Sequence, residues 1–565
     1  MVKAKIIAVT VIALFALLIT MISCGSSGER GPVAPTPAPT PTVQGGVTFL
    51  GQGWSEADRQ MYYHTTQGTR VIPYAWFLAL ERKGLSPPQP PFLSDEAVER
   101  YRLIPDPNTV NNPDRLPVGL VKEVADGGEY LGVTCAACHT GRLTFNGVKV
   151  RIDGGPAMHN LNGFFKEMFD ALAQTEATVL KFKRFSQKVL GERDNLAERG
   201  RLRLEVAKAL KMTFAKVLKG EVRHLYPTEE GFGRLDALGR GGNLVLGVAL
   251  ANDDNLAVAN APVAFPHLWG APFLDWAQWN GSIHQPMARN VSEALGVNAP
   301  VKLRGSPSEL FQSTVNVENL HLIEKQLQRL QPPRWPEEVL GRIDREKAAR
   351  GGALYAQHCA ACHETKLTDP DSSGLQLMRV TMIPLDVIGT DRTDAENFKG
   401  RTVNTGGLGG LPPRATADVV LQAVTKEVIK RKYDELGIPP ERRAEMDGFR
   451  ENLIRAPLEY RARNMDGIWA TPPFLHNNSV PSLYQLLLPA AQRDKIFYAG
   501  NLEFDPRVLG FKSERFPGGF EFRTDVKGNS NAGHEFREGP RGRGVIGPLL
   551  TDEERWAIIE FLKTK

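Results

Sequence analysis

The chain has 565 residues, 42% hydrophobic and 24% charged, a globular composition long enough for two or three cored domains. Its formal net charge of +5 falls to +3 (5 − 2) without Lys3 and Lys5. That is too mild for a nucleic-acid partner, and no GxGxxG, P-loop or long basic cluster points to a nucleotide.

Lys3 and Lys5, followed by an apolar run from Ile6 to Ile22, predict an export signal. Met21-Ile22-Ser23-Cys24-Gly25 closes the run like a bacterial lipobox, so residues 1–23 are expected to be a lipoprotein-type signal peptide and Cys24 the lipidated residue. The alternatives are ordinary cleavage with Cys24 as a spare thiol, and an uncleaved membrane helix, for which the run is short. The expected location is the periplasmic side or cell surface of a bacterium, with the membrane touched only through the lipid. Residues 24–46, rich in Pro, Thr, Ser and Gly, read as an extended tether.

The pentapeptide CAACH then occurs twice, at 135–139 and 359–363. It is the C-x-x-C-H pattern of covalent c-type haem attachment. The thiols of Cys135 and Cys138, or of Cys359 and Cys362, can each add to a vinyl group of one porphyrin. His139 or His363 then supplies the proximal nitrogen. A pair of disulfides or a four-cysteine zinc site would not need a histidine after each pair. With Cys24, the two motifs account for all five cysteines. The expected cofactors are two covalent c-type haems.

The proximal histidines lie 224 positions apart (363 − 139). Pro332, Pro333 and Pro336 interrupt helix between them, which places a boundary near residue 335. The expected fold is mainly α: an enlarged N-terminal haem domain over 47–335 and a C-terminal cytochrome c domain over 336–565, with extensive loops. The first region carries an amphipathic helical stretch at about Arg201–Lys219. In the second, REKAARGGALYAQH (345–358) reads as a helix running into Cys359, with Leu354 and Tyr355 on its buried side. Thr551 and Glu554 fit a capping box opening a final helix, with Trp556, Ile559, Phe561 and Leu562 on its apolar side.

The sixth iron position decides the chemistry. Filled by a protein ligand it favours electron transfer, and open it can take oxygen or peroxide. Seven other histidines stand in suitable places: His64, His159, His224, His267, His284, His476 and His534. His321 and His358 are less suitable. His534, in the glycine-rich loop GNSNAGHEF (528–536), is assigned to the second haem, with His476 the runner-up. A solvent-facing loop residue and a structural hydrogen bond are the respective alternatives.

The stretch GIWATPPFLHNNSVPSLYQL (467–486) resembles the C-terminal block of the dihaem cytochrome c peroxidase superfamily. PVAFPHLWGAPFLDWAQWNG (262–281), the GHEF loop and the chain length look closer to its rubber-oxygenase-like branch. The resemblance covers roughly residues 50–565. It implies two haems facing one another, with His139 on the reactive haem, and His363 and His534 on the second. It also implies a tryptophan between them, for which Trp269 is the best match by spacing, although Trp269, Trp276 and Trp279 could simply pack. The branch implies a bulky apolar side chain over the reactive iron, where this chain offers Ile283 or His284. Gln278, Asn280 and His284 would instead make a peroxidase-like pocket with hydrogen-bond donors and a proton shuttle. Calcium stands as a further candidate cofactor.

Three functions follow. The first is a peroxidase-like oxidoreductase with Trp269, His284 and Gln278 as catalytic candidates, fed by a small cytochrome or cupredoxin. The second is a dioxygenase cleaving a hydrophobic alkene. The third is a non-catalytic electron carrier, against which the length of the first haem region argues, since a carrier needs roughly 100 residues per haem.

Overall fold

The computed structural model describes residues 41–565 except 85–87, 108, 212–222 and 372–373. The expected signal peptide, Cys24 and most of the tether lie outside the described residues. So does the second half of the amphipathic stretch, whose described part is the helix Leu196–Lys211. No helix among the described residues is long and apolar enough to cross a membrane.

Helix makes up 39% and strand 17%, with the strands spread over many small sheets. The fold is therefore mixed α/β rather than mainly α, and it shows no clear pair of cytochrome domains. Two hairpins show where the helical expectation failed. Leu120–Ala125 pairs with Gly128–Val133, and Thr140–Phe145 pairs with Val148–Asp153. Their turns are Asp126-Gly127 and Asn146-Gly147, with φ of 50° and 74°, and 48° and 81°. Positive φ at both central residues marks the turn whose twist matches paired strands, and Asp-Gly and Asn-Gly favour it. The hairpins flank the first CAACH motif. Val148–Asp153 also pairs in parallel with Val47–Phe49, which pairs with Thr42–Gln44, so the last residues assigned to the tether form an edge strand.

One apolar core crosses residue 335. It joins Leu50, Trp54, Tyr62 and Trp269 to Trp335, Tyr355, Trp469 and Ile558. The proline-rich segment is not a loose linker: Trp335 meets Trp469 edge-on at 5.3 Å and donates its indole N–H to Gly341 O at 2.8 Å. The helix Arg345–His358, capped by Asp344, runs into Cys359 as expected. It packs against the final helix Asp552–Leu562, which has the Thr551/Glu554 capping box. The two meet so closely at Gly351 that a Cβ there would lie 1.9 Å from Ala557 O. A second core packs Pro286–Gly296 against Ala417–Glu435 through Val291, Ala294 and Leu295 and through Val420, Val424 and Val428. That packing leaves Glu293 on another side of its helix, beside the first CAACH motif.

Candidate functional site

Each CAACH motif borders a cavity. The cavity beside Cys359, Cys362 and His363 has a volume of about 330 Å³, and the one beside Cys135, Cys138 and His139 about 210 Å³. A smaller cavity of about 80 Å³, bordered by Trp269, His267, Arg461 and Arg463, adjoins them.

The two proximal histidines are oriented by the same device. His139 Nδ1 lies 2.7 Å from Pro266 O, and His363 Nδ1 lies 2.7 Å from Arg463 O. A carbonyl only accepts, so Nδ1 carries the proton and Nε2 keeps its lone pair for a metal. Burial pushes His139 down to about 4 and also lowers His363, which keeps both imidazoles neutral. The four motif cysteines are free thiols. Burial raises Cys135 and Cys359 to about 12, so neither is a ready thiolate. That environment suits sulfur held for attachment rather than for nucleophilic catalysis.

His534 faces His363 across the larger cavity, with ring centroids 6.1 Å apart. Two metal–imidazole bonds of about 2 Å each fit such a gap. His534 has φ of 43° and follows Gly533 at 73°. Arg493 holds this bend by donating to the carbonyls of Asn531, Gly533 and His534 at 2.6, 2.9 and 2.8 Å. His534 Nδ1 is buried without a hydrogen-bond partner among the described residues. Burial pushes its pKa down to about 3. His476 borders the same cavity, but its ring stacks on Tyr460 at 4.1 Å.

Around His139 the arrangement differs. Phe265 meets its ring edge-on at 6.3 Å. Val245, Leu246, Ile283 and Phe398 supply apolar wall. Gln278, at φ of 68°, donates from Nε2 to Glu293 Oε1 at 2.9 Å. Burial pushes the Glu293 carboxyl up, opposed by the Arg289 charge and the Gln278 amide. Arg289 in turn is paired with Glu324. The Gln278–Glu293 pair thus faces a cavity whose lining also includes His267, Arg289, Arg401 and Arg461 beside the apolar wall.

The other sequence candidates separate. Ile283 borders the His139 cavity, whereas His284 turns away, its Nδ1 2.6 Å from Asp275 O and its ring against Trp276 at 5.1 Å. Trp269 borders the small cavity, stacks on His267 at 4.5 Å and donates to Asp466 O at 2.8 Å. Trp279 borders both large cavities and donates to Ala264 O at 2.8 Å. Of the three tryptophans, it is the one in the wall between them. His64 pairs with Asp106 at 2.9 Å, His159 lies 2.7 Å from Ala137 O, and His224 is exposed.

Glu293, Arg461 and Arg463 were missed from sequence. For Glu293 the available signal was a carboxylate on a helix beginning just after the tryptophan-rich stretch. No group of three or more His, Cys, Asp or Glu side chains among the described residues is arranged to hold a metal, so the calcium expectation gains no site. A haem needs no such cluster, because the porphyrin brings four nitrogens. Paired thiols, a neutral imidazole with Nε2 free and apolar walls fit that group at both cavities.

Residues 459–498 match the family model described as RoxA-like, cytochrome c-like, a segment containing Arg461, Arg463, Trp469 and His476. A cytochrome c-like segment goes with a c-type haem. The uncharacterized protein y4iJ of Sinorhizobium fredii is 40% identical over 92% of this chain and 93% of its own length. The uncharacterized protein y4iM of the same organism is 26% identical over 53% of this chain and 64% of its own. At that identity and coverage, the chain belongs to the family of y4iJ, and it carries a RoxA-like, cytochrome c-like segment.

Proposed function

We propose that the protein is a two-haem c-type oxidoreductase of peroxidase-like chemistry, with its reactive site in the cavity beside His139. The asymmetry of the two cavities carries this reading: His363 has His534 opposite it, whereas His139 shares its cavity with the Gln278–Glu293 pair. Cys135 and Cys138 would hold one haem and Cys359 and Cys362 the other. When bound, each haem supplies one-electron redox chemistry and, where a coordination position is open, a site for a small oxidant. The chain's own residues do the rest. Pro266 O keeps the proton on His139 Nδ1. Glu293, its carboxyl favoured in the protonated form by burial, is placed to give and retake a proton, and Gln278 fixes its orientation. Trp279, an aromatic ring common to the walls of both cavities, would be the relay between them.

The donor would be a small cytochrome or cupredoxin, met on the exported side of a bacterial membrane to which Cys24 anchors the chain. Electron paramagnetic resonance of the oxidised holoprotein should give one high-spin and one low-spin ferric signal. Two low-spin signals would overturn the reading. Peroxide-dependent oxidation of a reduced cytochrome is the matching activity. One observation favours a second reading, oxygen-dependent cleavage of a hydrophobic alkene: Ile283, not His284, borders the reactive cavity. Turnover of a polyisoprenoid with oxygen and no donor would select it.

A further inference from the structure

Two arginines without a counter-charge stand in the partition between the large cavities. Arg461, on the strand Glu459–Ala462, and Arg463, just beyond it, are two positions apart, so their side chains leave the same face. Tyr460, the residue before Arg461, turns the other way, onto His476. Pairing with Thr381–Pro384 sets Arg461 opposite Met382 and fixes this register. Arg461 borders all three cavities, and Arg463 borders the His363 cavity and the small one. Both guanidiniums stand by the Trp279 ring, at 5.8 and 5.2 Å from its centroid.

Neither makes an ion pair among the described residues. Arg463 donates to Thr471 Oγ1 at 3.3 Å, and Arg461 Nε is buried with no hydrogen-bond partner. The charge acting on Arg461 from Arg289 has the same sign. Asp466 also borders the small cavity, out of ion-pair reach of either. A guanidinium does not escape burial by losing its proton. An aromatic face offsets only part of the lost hydration. Two such groups, adjacent and alike in charge, leave the partition short of negative charge.

We propose that Arg461 and Arg463 form an internal receptor for oxyanions of the carboxylate type, Arg461 serving both cavities and Arg463 the His363 cavity. This rests on the reading of two covalent haems, whose propionate carboxylates are one source of the anion. A small diffusible carboxylate or phosphate is the other. The planar guanidinium fork matches either oxyanion with two parallel hydrogen bonds. Because Arg461 reaches both cavities, its charge would set the potentials of both haems together.

The test is a spectroelectrochemical titration of full-length holoprotein, wild type against Arg461→Gln, Arg461→Lys and Arg463→Gln. It is run without carboxylate or phosphate buffers and then with added inorganic phosphate or formate. Intact mass first counts the covalent haems; fewer than two would end the two-haem reading whatever the arginines do. With two present, Arg461→Gln should lower both midpoint potentials and Arg463→Gln only that of the His363 haem. Arg461→Lys, which keeps the charge, should stay near wild type. Wild-type potentials indifferent to added anion identify the propionates. Potentials that respond, with the response lost in Arg461→Gln, identify a diffusible anion. The receptor is overturned if Arg461→Gln leaves both potentials and the anion response as in wild type. It is equally overturned if Arg461→Lys shifts the potentials as far as Arg461→Gln, since repacking would then explain the change.

Discussion

At the scale of single residues, the two CAACH motifs are spelled alike and their surroundings differ. His534 should behave as a ligand: His534→Ala is expected to turn the low-spin ferric signal high-spin, and an unchanged spectrum would move the ligand elsewhere. Glu293 should behave as a proton carrier. Glu293→Gln keeps the shape and the hydrogen bond to Gln278 but cannot exchange a proton. Peroxide-dependent turnover should fall by about a hundredfold or more, the usual worth of a positioned acid–base group. The optical and resonance spectra of both haems should stay as in wild type; turnover within twofold of wild type would remove Glu293 from the mechanism. The placing of His534 opposite His363 follows a local signal, a histidine among glycines. Glu293 was not legible in the sequence, because its meaning depends on Gln278, fifteen positions earlier (293 − 278), meeting it across a fold. His284 misled for a simpler reason. Along an extended segment neighbouring side chains point oppositely, so a one-residue difference exchanges a cavity wall for a carbonyl contact.

At the scale of elements, caps and turns were the readable features. The Thr551/Glu554 box and the helix entering Cys359 are local patterns, and both are present. The Asp126-Gly127 and Asn146-Gly147 hairpins were equally local and point to strand, yet a haem protein invites helix. What no periodicity gives is the meeting of Arg345–His358 with Asp552–Leu562, about two hundred residues apart. That meeting depends on Gly351, where a methyl group would strike the Ala557 carbonyl. Gly351→Ala should therefore destabilise the holoprotein by about 1–3 kcal/mol, the usual range for overpacking, despite the better helix propensity of alanine. Gly200→Ala, at an exposed helix position with nothing within 4 Å of the added Cβ, should instead stabilise by up to about 1 kcal/mol. Thermal melts of the two variants moving in the same direction would contradict this account of the helix contact.

At the scale of the whole molecule, the chain does not separate into halves. A core crossing residue 335 and a partition shared by Trp279 and Arg461 make the cavity beside each CAACH motif depend on both parts of the sequence. Interiors built around charged cofactor sites also bury ionisable groups, and these should shape the pH dependence of stability. Asp236 is the clearest case. It caps the helix Ala237–Gly242 and accepts from Gly239 N and Ala261 N at 2.8 Å each. Burial outweighs those bonds and pushes its carboxyl from 3.8 up to about 6. A raised carboxyl means that the folded state binds the proton more tightly than the unfolded chain. Its contribution is therefore complete below about pH 4 and is lost as pH rises through about 6, at about 1.4 kcal/mol per unit, or about 3 kcal/mol in all. His159, pushed down to about 4 by burial, acts in the opposite direction over an overlapping range, so the wild-type profile alone does not isolate either group. Asp236→Asn does. Asparagine cannot ionise, and it gives up the acceptor for Ala261 N–H at every pH, so the informative quantity is the slope. Denaturant midpoints at pH 4, 5, 6 and 7 should show the variant gaining on wild type by up to about 3 kcal/mol across that interval. Parallel curves would mean that Asp236 is ionised in the folded protein throughout, with its two backbone donors outweighing burial after all.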